Sequence, residues 1–229
     1  MPPIAAISFD ADDTLWDFGS SMRAALAHSA RRFTAEGLRG PQGEVSVDWL
    51  SRLREEVAAR LPEATLDDIR RAAFAEALTR CGANPEGLAE QYFQEYVRER
   101  YFGLTLFPEV RAVLTELGSR LPLAVTTNGN TDPAVVGLGD TFACVTNPYE
   151  SGFRKPDPRI FHLTAERLGV DPAAVLHVGD HLTEDAVGAR DAGLQARWLN
   201  RRAHLMNGVR HPASVGIQEI PTLAELLTL

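Results

Sequence analysis

Cysteine is nearly absent from this chain. Cys81 and Cys144 are the only two, far apart and without metal-ligand spacing. That excludes a disulfide framework and a cysteine-ligated zinc site, and it fits free thiols packed in a protein of the reducing cytoplasm. Clustered positive charge is missing as well. No basic run is longer than the pairs Arg31-Arg32, Arg70-Arg71 and Arg201-Arg202, and the formal net charge is -8. Nucleic-acid binding draws its affinity from clustered cations, so no polymeric nucleic acid is expected as a partner. A small anionic substrate stays compatible where a metal or a few local cations offset the overall field. No apolar stretch reaches the length of a membrane span, and Met1-Pro2-Pro3 carries neither a charged n-region nor a small-residue cleavage site. The expectation is a cytoplasmic protein with no membrane partner. There is no internal repeat and no low-complexity segment.

Lysine is scarcer still. Of the 23 basic residues, all but Lys155 are arginine. Lysine offers a compact, rotatable point charge where arginine offers a planar fork. A narrow pocket that needs an ammonium beside a phosphoryl group would resist replacement.

What is present is ordinary in bulk and unusual in one place. The 229 residues, 45% hydrophobic and 24% charged, suit one large domain or a core with an inserted subdomain. The apolar run Ile4 to Phe9 has strand length and ends in Asp10, Asp12, Asp13 and Thr14. Such runs read as buried strands of a parallel sheet, and ligands bind at the C-terminal strand ends of open α/β sheets. Packed carboxylates repel, and a divalent cation would relieve them. Residues i and i+2 of an extended segment point the same way, so Asp10 and Asp12 can address one ligand while Asp13 need not.

After Trp16 the periodicity turns helical. Ser20 or Ser21 is the expected cap of a helix bearing Met22, Leu26 and Phe33 and ending at Gly37. Further helices are expected near Asp48 to Arg60, Leu66 to Cys81 and Pro85 to Arg100, with no strand pattern among them. From Pro108 a helix leads to strands at Leu121 to Thr126 and Phe142 to Thr146, then a helix through Leu168. A strand at Ala174 to Val178 precedes a helix towards Gly193. Strands at Gln195 to Leu199 and near Gly216 to Ile220, then a terminal helix from Thr222, complete the pattern. This alternation implies right-handed βαβ units. The expected fold is α/β, a Rossmann-like parallel sheet core formed by residues 1–16 and 104–229, with an all-helical cap at 17–103 inserted after the first strand.

Four strand or loop ends now carry polar groups: Asp10 and Asp12; Thr127 and Asn128; Lys155; Asp180 and Asp185. In a parallel sheet these ends share one edge. Asp10-x-Asp12-x-Thr14, Thr127-Asn128, Lys155-Pro156 and Gly179-Asp180-(x)4-Asp185 resemble, in order, the four motifs of the haloacid dehalogenase-like superfamily. The helical insertion resembles that superfamily's type 1 cap. The resemblance spans essentially the whole chain. It departs at Asp13, where many members have Gly, and at Arg154 and His181.

The resemblance implies a Mg²⁺-dependent phosphomonoester hydrolase acting on a small phosphorylated metabolite. Asp10 would be the nucleophile that forms an aspartyl-phosphate. Asp12 would protonate the leaving alcohol and later deprotonate water. Thr127 and the Asn128 backbone would hold phosphoryl oxygens, and Lys155 would offset charge. Asp10, the Asp12 carbonyl, Asp180 and Asp185 would make the metal site. True dehalogenases of the superfamily lack an acid at the Asp12 position, because halide leaves without a proton. A phosphomutase or a catalytically silent binding protein of the same fold remain alternatives. The stretches Thr127 to Phe142 and Leu176 to Asp185 are similar to the bacterial flavin mononucleotide phosphatases, a branch that also dephosphorylates the ribitylaminouracil phosphate of riboflavin synthesis.

Trp16 and Phe18 stand where a ring could stack on a flat substrate or pack at the hinge. Arg23, Trp49 and Tyr96 are candidates to line the cap's pocket. His177 reads as a satisfied core histidine, and Arg98 and Arg100 as a solvated face. The protein is expected to be a monomer or a homodimer.

Overall fold

The computed structural model describes residues 2–201 and 216–229, so Arg202 of the pair Arg201-Arg202 lies outside the described residues. The chain clusters into two compact units, one of Met1–Asp17 with Thr105–Leu229 and one of Phe18–Leu104.

The first unit is built on six short parallel strands. In chain order they are β1 (Ala6–Phe9), β2 (Leu123–Thr126), β3 (Cys144–Thr146), β4 (Val175–Gly179), β5 (Gln195–Leu199) and β6 (Gln218–Ile220). Their order across the sheet is β3-β2-β1-β4-β5-β6. β1, β2 and β4 are buried at every position, which explains their unbroken apolar character. The order reverses at β1, which pairs with β2 on one side and β4 on the other. A right-handed crossover into β2 and another back into β4 set their helices on opposite faces. Val110–Gly118 buries Val110, Val113, Leu114 and Leu117. Pro158–Leu168 contributes Ile160 and Phe161 to an apolar cluster with Val175, Ala186, Ala189 and Trp198. Asp157 caps Pro158–Leu168 by accepting from the Arg159 N–H, with Pro158 at the first helical position and left-handed Gly169 closing it.

Two expected helices take other forms. The segment after Asp180 winds as a π-helical turn, Leu182–Val187, before a short α-helix, Gly188–Asp191. The terminal segment is a 3₁₀ turn, Leu223–Thr228, capped by Thr222.

The second unit has four helices, α1 (Phe18–Ala35), α2 (Val47–Arg60), α3 (Leu66–Arg80) and α4 (Leu88–Phe102). Ser20 and Ser21 do not cap α1, because the helix starts two residues earlier. Ser21 is buried and its hydroxyl donates to the Arg100 carbonyl. Ser46 caps α2 and Thr65 caps α3 through their side-chain oxygens. One apolar cluster joins the four helices, with Phe33, Leu53, Phe74, Leu78, Tyr92, Phe93 and Tyr96 at its centre. Phe33 and Phe74 lie 4.6 and 5.8 Å from the Tyr92 ring centroid.

Candidate active site

β1 ends at Phe9, and the Asp10 N–H donates to the Val178 carbonyl of β4 at 2.8 Å. This anchors Asp10 at the point where the strand order reverses. The next residues turn tightly. Asp13 sits at φ 60°, in the left-handed region that favours Gly and that Asp tolerates. The departure from the family's Gly at this position is therefore physically mild.

Lys155 is buried, and its Nζ lies 2.5 Å from Asp10 Oδ1 and 2.6 Å from Asp185 Oδ1. Asp10, Asp180 and Asp185 each present an oxygen within 4.8 Å of the others. One ammonium therefore faces three carboxylates. Burial pushes Asp185 up, but Lys155 and His177 outweigh it and hold Asp185 well below the usual carboxylate range. Asp10 goes the other way: burial raises it, Lys155 opposes, and Asp185 and Asp180 add repulsion. Burial and the Asp185 charge push Asp180 up to about 6. Lys155 is held charged, since Asp10 and Asp185 outweigh the cost of its burial. The excess negative charge and the all-oxygen donor set fit a hard divalent cation, which the chemistry of these ligands favours.

The supporting contacts make the site specific. Thr14 Oγ1 donates to Asp180 Oδ1 at 3.2 Å and accepts from the Asp180 N–H at 3.1 Å. Trp198 Nε1 donates to the Asp180 carbonyl at 2.9 Å. A Cβ on Gly179 would fall on the Asp185 carboxyl, so only Gly admits that side chain beside β4. Thr127 is buried at the end of β2, its Oγ1 accepting from the Gly129 N–H at 2.9 Å.

The Asn128 side chain grips the Lys155 backbone: its Oδ1 accepts from the Lys155 N–H at 2.8 Å and its Nδ2 donates to the Lys155 carbonyl at 3.0 Å. Nδ2 also lies 2.7 Å from Glu184 Oε2. The order of the sequence concealed this clamp, because the partners are 27 residues apart.

His177 is satisfied in the core, as its apolar strand suggested, and it also reaches the site. Its Nε2 faces Asp185 Oδ1 at 3.3 Å, its Nδ1 faces Ser8 Oγ at 3.1 Å, and the chain continues through Thr126 and Thr164 at 2.7 Å each. Burial keeps the imidazole neutral, so with Nε2–H donated to the carboxylate, Nδ1 accepts from Ser8. The Thr164 hydroxyl at the far end donates to the Ile160 carbonyl at 3.0 Å. Nothing in the local pattern of Ser8, Thr126 or Thr164 marks them as one chain; the pairing of β1 with β2 and β4, and the packing of the helix Pro158–Leu168, bring them together.

Other expectations change. Trp16 is fully buried, and its indole N–H donates to Asp12 Oδ1 at 2.7 Å, so its ring packs inside instead of facing a ligand. Phe18 is half-buried, with the Arg100 guanidinium 5.6 Å from its ring. Arg98 is exposed as expected, but Arg100 is only 1% exposed and lies 4.6 Å from the Tyr101 ring, so the solvated face does not include it. Both residues are on α4, but two positions apart turns the second inward. Tyr96 belongs to the apolar cluster of the helices, Trp49 packs against it, and Arg23 is exposed. Cys81 and Cys144 are free thiols raised by burial.

Acids and one buried ammonium stand at the switch point of a parallel sheet, the place where open α/β folds bind their ligands. The chain belongs to the haloacid dehalogenase-like hydrolases, whose family model matches residues 4–193. It is 33% identical over 208 residues to the 5-amino-6-(5-phospho-D-ribitylamino)uracil phosphatase YigB of Escherichia coli K12, covering 86% of this chain and 83% of that protein. It is 36% identical over 186 residues to phosphoserine phosphatase of Thermus thermophilus, covering 77% and 66%. Among solved structures, 2-haloacid dehalogenase of Pseudomonas syringae pv. Tomato DC3000 superposes with a TM-score of 0.78 at 32% identity, covering 97% of this chain and 96% of that one. Among the described residues, no helix is long and apolar enough to cross a membrane.

Proposed function

We propose that this hydrolase is a Mg²⁺-dependent phosphomonoesterase that works through an aspartyl-phosphate on Asp10. One observation carries the reading: a second acid, Asp12, is held two residues beyond Asp10 by a hydrogen bond from the Trp16 indole. Displacement of halide needs no proton, whereas the alkoxide of a phosphate ester does. The dehalogenase relationship thus supports the shared fold and nucleophile, and Asp12 supports the ester. The relatives named as phosphatases point the same way.

In this mechanism Asp10 attacks phosphorus while Asp12 gives its proton to the departing alcohol oxygen. Asp12 then takes a proton from the water that attacks the aspartyl-phosphate. Thr127 and the Asn128 backbone bind phosphoryl oxygens. Lys155, fixed by Asn128, offsets the charge of Asp10 and of the phosphoryl group in flight. Mg²⁺, held by Asp10, the Asp12 carbonyl and Asp180, with Asp185 orienting the set, would supply the remaining positive charge. The substrate is a small phosphorylated metabolite, with FMN and the ribitylaminouracil phosphate the first choices and nucleoside monophosphates next. The 17–103 helical segment serves as the cap, and the enzyme acts in the cytoplasm as a monomer or homodimer without nucleic acid or membrane.

The test is phosphate release from FMN, nucleoside monophosphates, phosphoglycolate and 4-nitrophenyl phosphate, with and without Mg²⁺, beside halide release from 2-chloropropionate. Mg²⁺-dependent phosphate release that Asp10→Asn abolishes is the expected result. Halide release without phosphate release by the folded protein would overturn the proposal.

A further inference from the structure

We propose that Trp16 is a positioning residue for the acid–base carboxylate, fixing Asp12 so that Oδ2 carries the proton exchanged with the leaving group. The inference rests on the phosphomonoesterase reading above.

Trp16 is 0% exposed and spends its single polar atom on Asp12 Oδ1, at 2.7 Å. A buried indole N–H needs an acceptor, and a bond to a carboxylate is stronger than one to a neutral carbonyl. The backbone of the turn makes this pairing rigid. The Asp13 N–H donates to the Trp16 carbonyl at 2.8 Å, and the Leu15 N–H donates to Ala11 at 2.8 Å. Asp12 and Trp16 pair as a parallel bridge, and Trp16 pairs antiparallel with Leu106. The neighbouring amides of Phe107 and Asp17 bond to Leu15 and Thr105 at 3.1 and 3.0 Å. The indole is thus delivered by a turn stapled on both sides.

The other oxygen of Asp12 meets a second constraint. A Cβ built on Gly129 would lie 2.5 Å from Asp12 Oδ2 and 3.3 Å from its Cγ. Gly129 is not in a left-handed conformation, so its lack of a side chain is explained by this approach, with Thr127 Oγ1 at 3.3 Å as a lesser crowding. Gly129 follows Thr127, whose hydroxyl accepts the Gly129 N–H. The carboxyl group therefore lies between an indole donor and the loop at the end of β2.

The chemistry follows from which oxygen is engaged. An indole N–H only donates, so it favours lone-pair density on Oδ1 in either protonation state. The transferable proton is then assigned to Oδ2. In the first step the Asp10–phosphorus bond forms, the phosphorus–ester oxygen bond breaks with its electron pair on the alcohol oxygen, and that oxygen takes the Oδ2 proton. In the second step the Oδ2 of the resulting carboxylate accepts a proton from water as its oxygen bonds to phosphorus and the Asp10–phosphorus bond breaks. Asp10 returns as a carboxylate and Asp12 as an acid.

The test uses Trp16→Phe, which removes the N–H, and a second variant carrying benzothienylalanine at position 16, which keeps the bicyclic shape and replaces N–H by sulfur. Steady-state kcat and KM are measured with Mg²⁺ on a series of phosphate monoesters of rising leaving-group pKa, from 4-nitrophenyl to alkyl. A nitrophenolate leaves without a proton and an alkoxide does not. The expected result is a loss of kcat of on the order of 10- to 100-fold on alkyl esters in both variants, with little change on 4-nitrophenyl phosphate and little change in KM. Equal loss on both ends of the series in the benzothienylalanine variant, or no loss at all, would overturn the inference, because simple packing damage does not distinguish leaving groups. A wild-type protein that hydrolyses neither kind of ester would instead overturn the phosphomonoesterase reading itself.

Discussion

The sheet unit and the helical unit use charge in opposite ways. In the sheet unit the decisive charges are buried: Lys155, Asp10 and Asp185 are each less than a tenth exposed and in direct contact. In the helical unit most ion pairs line the surface, as in Arg80 with Glu76 and Glu56 and Arg39 with Glu44, and the interior is aromatic and aliphatic apart from the buried Arg70 and Arg100. Burying a charge costs several kcal/mol unless partners compensate, so a fold concentrates that cost where charge does work. Exposed pairs cost little and contribute little. The sheet unit is therefore organised around its chemistry and the helical unit around its packing.

Four measurements test this contrast. The largest effect belongs to Lys155→Met, which strips the buried ammonium from the acid cluster. Phosphate release should fall by about 10³-fold, and metal-free stability by about 3–5 kcal/mol in urea unfolding; near-wild-type turnover would remove the distinction between the units. Next is Phe74→Ala in the helical core, where the ring touches Tyr92 and Tyr96 at 5.8 Å each. It should cost about 3–5 kcal/mol in stability while metal binding to the protein, followed by calorimetry, keeps its affinity.

Metal loading gives a smaller effect with a sign fixed by Asp180. Its pKa in the folded chain is raised to about 6 from 3.8, so it favours folding below the unfolded value, and that contribution is lost as pH rises through 6. Mg²⁺ at ~100 times its Kd should raise Tm by about 5–10 °C at about pH 7.5, and by much less near pH 5, as scanning calorimetry would read. His177 acts in the opposite sense, since burial lowers its pKa and stability is lost on acidification below 6.5. Comparing loaded and metal-free samples at each pH removes that contribution. The smallest effect is Arg80→Ala, expected at under about 0.5 kcal/mol despite two partners; a cost of several kcal/mol would show that surface charge holds the helical unit together.

Much of this was legible in the chain. The helix at Leu66–Arg80 follows from periodicity, because it buries one continuous face, and the strand at Gln195–Leu199 from its short run between turns, buried on both faces. The order of Asp10, Thr127, Lys155 and Asp180 was readable because a parallel sheet brings strand ends to one edge. Partners set by register across strands were not readable. Ser8 meets His177 through the pairing of β1 with β4, and Asn128 after β2 meets Lys155 in the loop that precedes the helix Pro158–Leu168. Trp16 was ambiguous for a related reason: stacking and packing predict the same residue, and only the direction of its N–H decides. The π-helical turn at Leu182–Val187 escaped as well, since its periodicity differs little from an α-helix over six residues.

The placing of the tryptophans makes the site self-reporting to light. Of the three in the chain, Trp16 bonds to Asp12 and Trp198 to the carbonyl of Asp180, while Trp49 lies in the helical unit. Indole emission responds to nearby charge and to the strength of its N–H bond. Ion loading and phosphorylation of Asp10 should therefore change two of the three emitters, with the third as an internal reference. Loading of the acid cluster should thus be readable in the protein's own fluorescence, without a label.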